Sequence, residues 1–467
     1  MTKKLAPIAA AFALLASAGV AAKPATYPAA EAQILELSRQ TIAMRSVRGE
    51  GNRTADVARA FQAALAAGGW AAGDMEVVPV DDTAYFVARW QGSDTSLKPI
   101  LVSGHMDVVE AKPADWARDP FTPVVENGYL FGRGASDQKF SAALAVGSLI
   151  ELRRQGLRPR RTILIVFSGD EETTMKTSKI IAERFPDLEM VLNTDGSGGT
   201  FDEKDGRALY WTFDGAEKTY TDYRLEVTNP GGHSSAPRAD NAITQLATAL
   251  ERIGSYRFTP ELNPITKGYF EQAAAFETNA EVAAAMRAFA ANPADAAAIA
   301  VLRASPAHVG KIGTTCVPTM VNGGHAENAL PQRATAIVNC RIFPGHTREA
   351  IMAELGRVAG VPQVKITDAT GEDTTISPAS PLRADFTAAI GKAMKRSWGN
   401  VPVIPSQSSG ASDSMWFRGK GIPSYGISPV FIKDSDDYAH GLNERVELRN
   451  IRPGIAYYLS LFTDLAK

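Results

Sequence analysis

The sequence predicts an α/β fold with a mainly parallel sheet, interrupted by an inserted α+β domain. Three observations carry that expectation. Over residues 100–192 short, wholly apolar runs alternate with helical stretches, as in a sheet covered on both faces. Near residue 219 the runs turn alternating, like strands with one exposed face. After about residue 377 the first style returns. At 467 residues the chain is also too long for one ordinary core.

Lys3 and Lys4 precede an apolar stretch over 5–18, and Val20-Ala21-Ala22 offers small residues for cleavage. This predicts a secretory signal over 1–22 and a periplasmic or secreted protein. The stretch is short for a membrane span, and no cysteine follows it to carry a lipid anchor. No later run is long and apolar enough to cross a bilayer, so the mature protein is expected to be soluble.

The first part of the body, 23–218, opens with helices over 29–44 and 54–67, the second stopped by Gly68-Gly69. A strand over 100–102 runs into Ser103-Gly104, and a helix over 136–154 ends before Gly156. Residues 162–167 and 190–192 read as buried strands. In the inserted domain, 219–374, a strand over 220–227 and a helix over 241–253 come first. Strands over 312–321 and 333–342 and a helix over 347–358 follow. This β-α-β-β-α order predicts a ferredoxin-like layer with its helices on one face. An alanine-rich stretch, 271–304, reads as helices broken at Asn292-Pro293; packing is its plain role and walling a cleft the sharper one. The last part, 375–467, holds a strand over 422–427 despite Pro423, and a closing helix from 450.

Two cysteines exclude a disulfide scaffold and a multi-cysteine metal site. An antiparallel pair centred near Asn328 would set Cys316 opposite Cys340, as a disulfide or as two buried thiols. A formal net charge of -2 gives no basic surface for nucleic acid or anionic lipid.

No H-E-x-x-H, G-x-S-x-G or phosphate-loop motif is present, and Gly132-Arg133-Gly134 lacks the third glycine of a dinucleotide fingerprint, Asp137 standing there instead. What remains is a set of acids and histidines at strand ends: His105 and Asp107, Asp137, Glu171 and Glu172, and Asp195. Ligands of α/β sheets bind outside the carboxyl ends of the strands, so these groups share one edge. Singly, Asp137 reads as a helix cap, Glu171-Glu172 as a solvated loop and His105 as a core histidine. Together, crowded carboxylates would repel one another unless divalent cations sat among them, and His with carboxylate suits zinc.

Six stretches then carry a resemblance: Gly104-His105-Met106-Asp107-Val108-Val109, Gly132-Arg133-Gly134-Ala135-Ser136-Asp137, Ser168-Gly169-Asp170-Glu171-Glu172, Gly231-Gly232-His233-Ser234-Ser235, Asn328-Ala329-Leu330-Pro331, and His440-Gly441-Leu442-Asn443-Glu444-Arg445. In content and order they resemble the two-zinc peptidase family of aminoacylase, Gly-Xaa carboxypeptidase and succinyl-diaminopimelate desuccinylase. The resemblance implies that Asp137 bridges two zinc ions, or cobalt or manganese in their place. His105 and Asp195 complete one site, and Glu172 and His440 the other. Asp107 supports His105, Glu171 is the general base, and His233 assists from the inserted domain. Asn328 and Arg341 hold a substrate carboxylate, and Gly410-Ala411-Ser412-Asp413 resembles a substrate-contacting loop.

The implied activity is cleavage of an amide beside a free carboxylate, by a dipeptidase or carboxypeptidase. N-acyl-amino-acid hydrolysis is the alternative, and a non-catalytic metal-binding homologue the remote one. A homodimer through the inserted domain is also implied. Two departures stand out: Phe140 where relatives carry a small Gly, and Glu110 where they carry Pro.

Overall fold

The computed structural model describes residues 26–372 and 374–467; the leader expected over 1–22 lies outside them. Ten strands form one sheet. At its centre Ile163–Ser168, Ile100–His105, Met190–Asn193 and Ser424–Gly426 run parallel, as expected. Antiparallel strands flank them: the hairpin Met75–Val80 and Thr83–Trp90 on one side, Ala208–Glu217 and Gly198–Phe201 on the other. Val403–Ser408 adds to Ala208–Glu217 in parallel.

The central strands are apolar throughout because both their faces are covered. Ile163, Ile165 and Phe167 enter one core with Leu144, Leu149 and Tyr457, while Leu164 and Val166 enter another with Ile181 and Trp416. The helices of the first core are Pro28–Ile42, Thr54–Ala67, Lys139–Arg154 and Ile451–Leu465. Lys139 is wholly buried, and its ammonium donates to the carbonyls of Thr41 and Met44 (both 2.9 Å), which lie at the open end of the first helix.

A second, four-stranded antiparallel sheet has the order Thr315–Gly323, Arg333–Ile342, Thr219–Thr228, Lys365–Asp368. Helices Ala242–Ser255 and Arg348–Ala359 share its core through Leu246, Ile253, Ile351 and Leu355. Asn241 and Thr347 cap them, each side chain accepting backbone N–H groups of the first turn. Cys316 pairs with Cys340 across the strands, and a disulfide joins them.

The alanine-rich stretch forms Pro264–Ala273, Ala280–Ala291 and Ala296–Ala304, with the break at Asn292. Its core, with Phe270, Phe289 and Leu302, packs on Ile404 of the large sheet, and none of its residues lines the acidic cleft described next. The plain packing role is the one this placement supports.

Candidate metal centre

His105 ends its strand, while Glu171, Glu172 and Asp195 lie just beyond theirs. Because those strands are parallel neighbours, their carboxyl ends deliver the four side chains to one edge. Asp137 precedes the helix Lys139–Arg154, and His440 comes from the loop before Arg445–Glu447.

The five expected ligands converge in two groups around Asp137. Its Oδ1 lies 3.0 Å from His105 Nε2 and its Oδ2 3.1 Å from His440 Nε2. Glu172 Oε1 is 3.0 Å from His440 Nε2, and Asp195 Oδ2 is 4.0 Å from His105 Nε2. One carboxylate facing two histidines, each with a second acid, is a donor set that fits a pair of divalent cations.

The electrostatics support that fit. Burial first, then the charges of Asp137, Asp413 and Glu172, push Asp195 up to about 8. Burial likewise holds Glu171 well above the carboxylate range, with Asp195, Asp413 and Glu172 adding to it. Hydrogen bonds to the carboxylates of Asp137 and Glu172 raise His440 to about 10. A dication reverses these preferences, since ionised carboxylates and neutral imidazoles are its ligand forms.

Asp107 is buried behind this group. Its backbone carbonyl, rather than its carboxylate, takes the shorter contact with His105 Nδ1 (3.0 Å against 3.5 Å). Its carboxylate oxygens accept the amides of Glu171 (3.1 Å) and Glu172 (3.0 Å), which orients the two adjacent acids together.

Glu444 was not singled out from the sequence, although it lies inside the last motif. It is fully buried, and one oxygen accepts the amides of Ser136 (2.6 Å) and Asp137 (2.9 Å). The other accepts Gly134 N (3.0 Å) and Arg133 Nη1 (2.7 Å). Arg133 Nη2 in turn donates to the carbonyls of His440 (3.4 Å) and Gly441 (3.2 Å). His440 needs such support, because its φ of 59° is a left-handed conformation that costs a side-chain-bearing residue. This clip ties two expected ligands 303 positions apart, 440 less 137. An amide nitrogen cannot accept from these donors, so Glu444→Gln is expected to weaken metal affinity about 10- to 100-fold. Competition titration against a chromophoric chelator checks it; unchanged affinity would remove Glu444 from this role.

Two cavities meet at the centre. One, of about 220 Å³, is lined by Asp137, Asp195 and Ser412 together with Asp214, Glu217 and Arg418, which no motif had marked. The other, of about 610 Å³, is lined by Arg341, Gly410, Tyr220 and Met415. Glu171, Glu172 and His440 line both. Arg341 stacks 4.7 Å from the Tyr220 ring.

His233 and Asn328 are brought together elsewhere. Both are exposed, His233 on the ribbon of Gly232–His233 and Ala329–Leu330 and Asn328 just before it, where Ser234 N donates to the Asn328 carbonyl (3.0 Å), and neither lines the two cavities. Of the departures, Phe140 is buried in the main core and Glu110 pairs with Arg45 (2.6 Å) at the surface. His308 and His346 contact Glu277 (3.3 Å) and Glu261 (2.8 Å), and His325 is exposed.

Known proteins are similar to this chain in sequence and in fold. A Dictyostelium discoideum protein named "Probable carboxypeptidase S-like 2" is 28% identical over 399 residues, covering 82% of this chain and 74% of that protein. The Danio rerio "N-fatty-acyl-amino acid synthase/hydrolase PM20D1.1" is 28% identical over 393 residues, covering 80% and 73%. Among solved structures, an M20 family metallo-carboxypeptidase from Sulfolobus solfataricus superposes with a TM-score of 0.69 at 18% identity, covering 92% of this chain and 99% of that one. Residues 101–464, from the strand that delivers His105 into the closing helix, match one family profile; the chain belongs to peptidase family M20/M25/M40.

Proposed function

We propose that the chain is a two-zinc hydrolase of small peptides that cleaves an amide next to a free carboxylate, as a dipeptidase or carboxypeptidase. The observation that carries this is the shared wall of the two cavities: Glu171, with Glu172 and His440, borders both the cavity of the acid–histidine centre and the one that holds Arg341. His105, Asp137 and Asp195 would hold one ion, and Asp137, Glu172 and His440 the other. Bound there, zinc supplies an acidified water and polarises the scissile carbonyl.

Glu171 takes a proton from the attacking water and returns it to the leaving nitrogen. Its buried, acid-crowded setting favours proton uptake. Arg341 pairs with the carboxylate of the leaving amino acid through two parallel N–H donors, with Gly410 on the same wall. Ser412 lies on the acyl side.

The segment 219–374 acts as a lid and dimerisation unit between the catalytic parts 23–218 and 375–467. Val317, Met320 and Val321 support this, standing 56–66% exposed on the outer strand Thr315–Gly323. A second copy joined there would bring His233 and Asn328 to its partner's cleft, His233 to the oxyanion and Asn328 to the substrate carboxylate. Among the described residues no helix is long and apolar enough to cross a membrane. Export to the periplasm or beyond remains part of the proposal, on the leader over 1–22.

Hydrolysis of N-acyl amino acids is the second reading, favoured by relatives named for that chemistry. Metal analysis with a panel of dipeptides and N-acyl amino acids, before and after chelation, tests both. About two metals per chain and cleavage that chelator abolishes and zinc restores are expected. Metal-bound protein that cleaves no member of the panel would sink the proposal.

A further inference from the structure

We infer that the acyl half of the substrate is an amino-acid residue with a free ammonium group, received by Asp214, and not a fatty acyl chain. This rests on the amide-hydrolase reading above. Arg341 marks the larger cavity as the place of the leaving amino acid, so the smaller cavity, across Glu171, Glu172 and His440, takes the acyl half.

Most of the side chains lining that chamber are polar. Beyond the expected metal ligands and Glu171 its wall is built from Asp214, Glu217, Ser408, Ser412, Ser414 and Arg418, with Gly196, Gly426 and Ala411 between them. Glu217 and Arg418, 2% and 3% exposed, face each other there with Nη1 2.8 Å from Oε1. Glu217 also accepts from Ser412 (2.9 Å) and Ser377 (3.3 Å). An alkyl chain laid against these groups would exclude water from them and return no hydrogen bond.

Asp214 is placed for an amine. It is half-buried, its Oδ2 accepts from Ser197 N (2.8 Å), and no described cation lies within ion-pair distance of it. Lys311 feels its charge, but the lysine ammonium is held on the carbonyl of Gln407 (2.6 Å). The carboxylate also lies beside the centre: a Cβ built on Gly196, the residue after Asp195, would meet Asp214 Oδ2 at 3.3 Å. In a dipeptide the ammonium nitrogen is two bonds from the scissile carbonyl carbon, so its receptor must sit this close to the metal ligands.

The test compares alanyl-leucine, N-acetyl-leucine and N-lauroyl-leucine on the metal-loaded full chain, as wild type and D214N, with metal content measured for both. Wild type is expected to favour alanyl-leucine in kcat/KM over both acyl-leucines. In D214N the ratio of alanyl-leucine to N-acetyl-leucine should fall about 10- to 100-fold, mainly through KM, with metal content retained. Preference of the wild type for N-lauroyl-leucine overturns the inference and leaves the hydrolase reading standing. An unchanged ratio in metal-loaded D214N also overturns it. Should D214N lose metal, the wild-type ranking decides alone. Failure of wild type to cleave any of the three overturns the hydrolase reading, and this inference with it.

Discussion

Replacing Glu171 by Gln is expected to lower kcat by at least about 10²- to 10⁴-fold while two metals stay bound. Glu171 is near-buried on the wall shared by both cavities, and its backbone amide is anchored on Asp107. Gln keeps the shape and can still donate to water, but it cannot hold the proton that must pass to the leaving nitrogen. Metal stoichiometry separates this from loss of the site, because Glu171 is not among the five side chains around Asp137. Pre-steady-state mixing should show the loss in the chemical step, with substrate affinity kept. Substantial residual turnover in a metal-loaded variant would take the role of base away from Glu171.

Replacing Asp137 by Ala should have the larger effect on metal. Its two oxygens face His105 and His440 at 3.0 and 3.1 Å, so one substitution removes a ligand from both groups. The remaining side chains would form two separate, poorer sites. The loss should exceed the roughly 10- to 100-fold in affinity that a supporting residue costs, and activity should vanish with it. Elemental analysis after gel filtration checks the outcome; two metals per chain in D137A would show that Asp137 does not bridge.

The family, the parallel centre of the sheet and the convergence of the five expected ligands were legible because each rests on local sequence. Wholly apolar runs mark strands with two covered faces, and acids or histidines directly after them fall at one sheet edge whatever the loops do. The strand Arg333–Ile342 and the facing cysteines were legible for the same reason, since alternation and register are local properties. The flanking hairpin of Met75–Val80 and Thr83–Trp90, the strand Ala208–Glu217 and the helix Ala384–Trp398 were not singled out. Pro79 breaks the first of these patterns, a residue that an edge strand tolerates.

By itself, then, the sequence determined the family, the catalytic edge of the sheet and the identity of the groups gathered there. Tertiary structure alone decided what surrounds them. Glu444 acts on Ser136 and Asp137 from more than 300 positions away, and Glu217 meets Arg418 across 201. Such pairs leave no periodicity or spacing in the chain. They arise because buried charged groups must find partners wherever folding brings the strands and loops together.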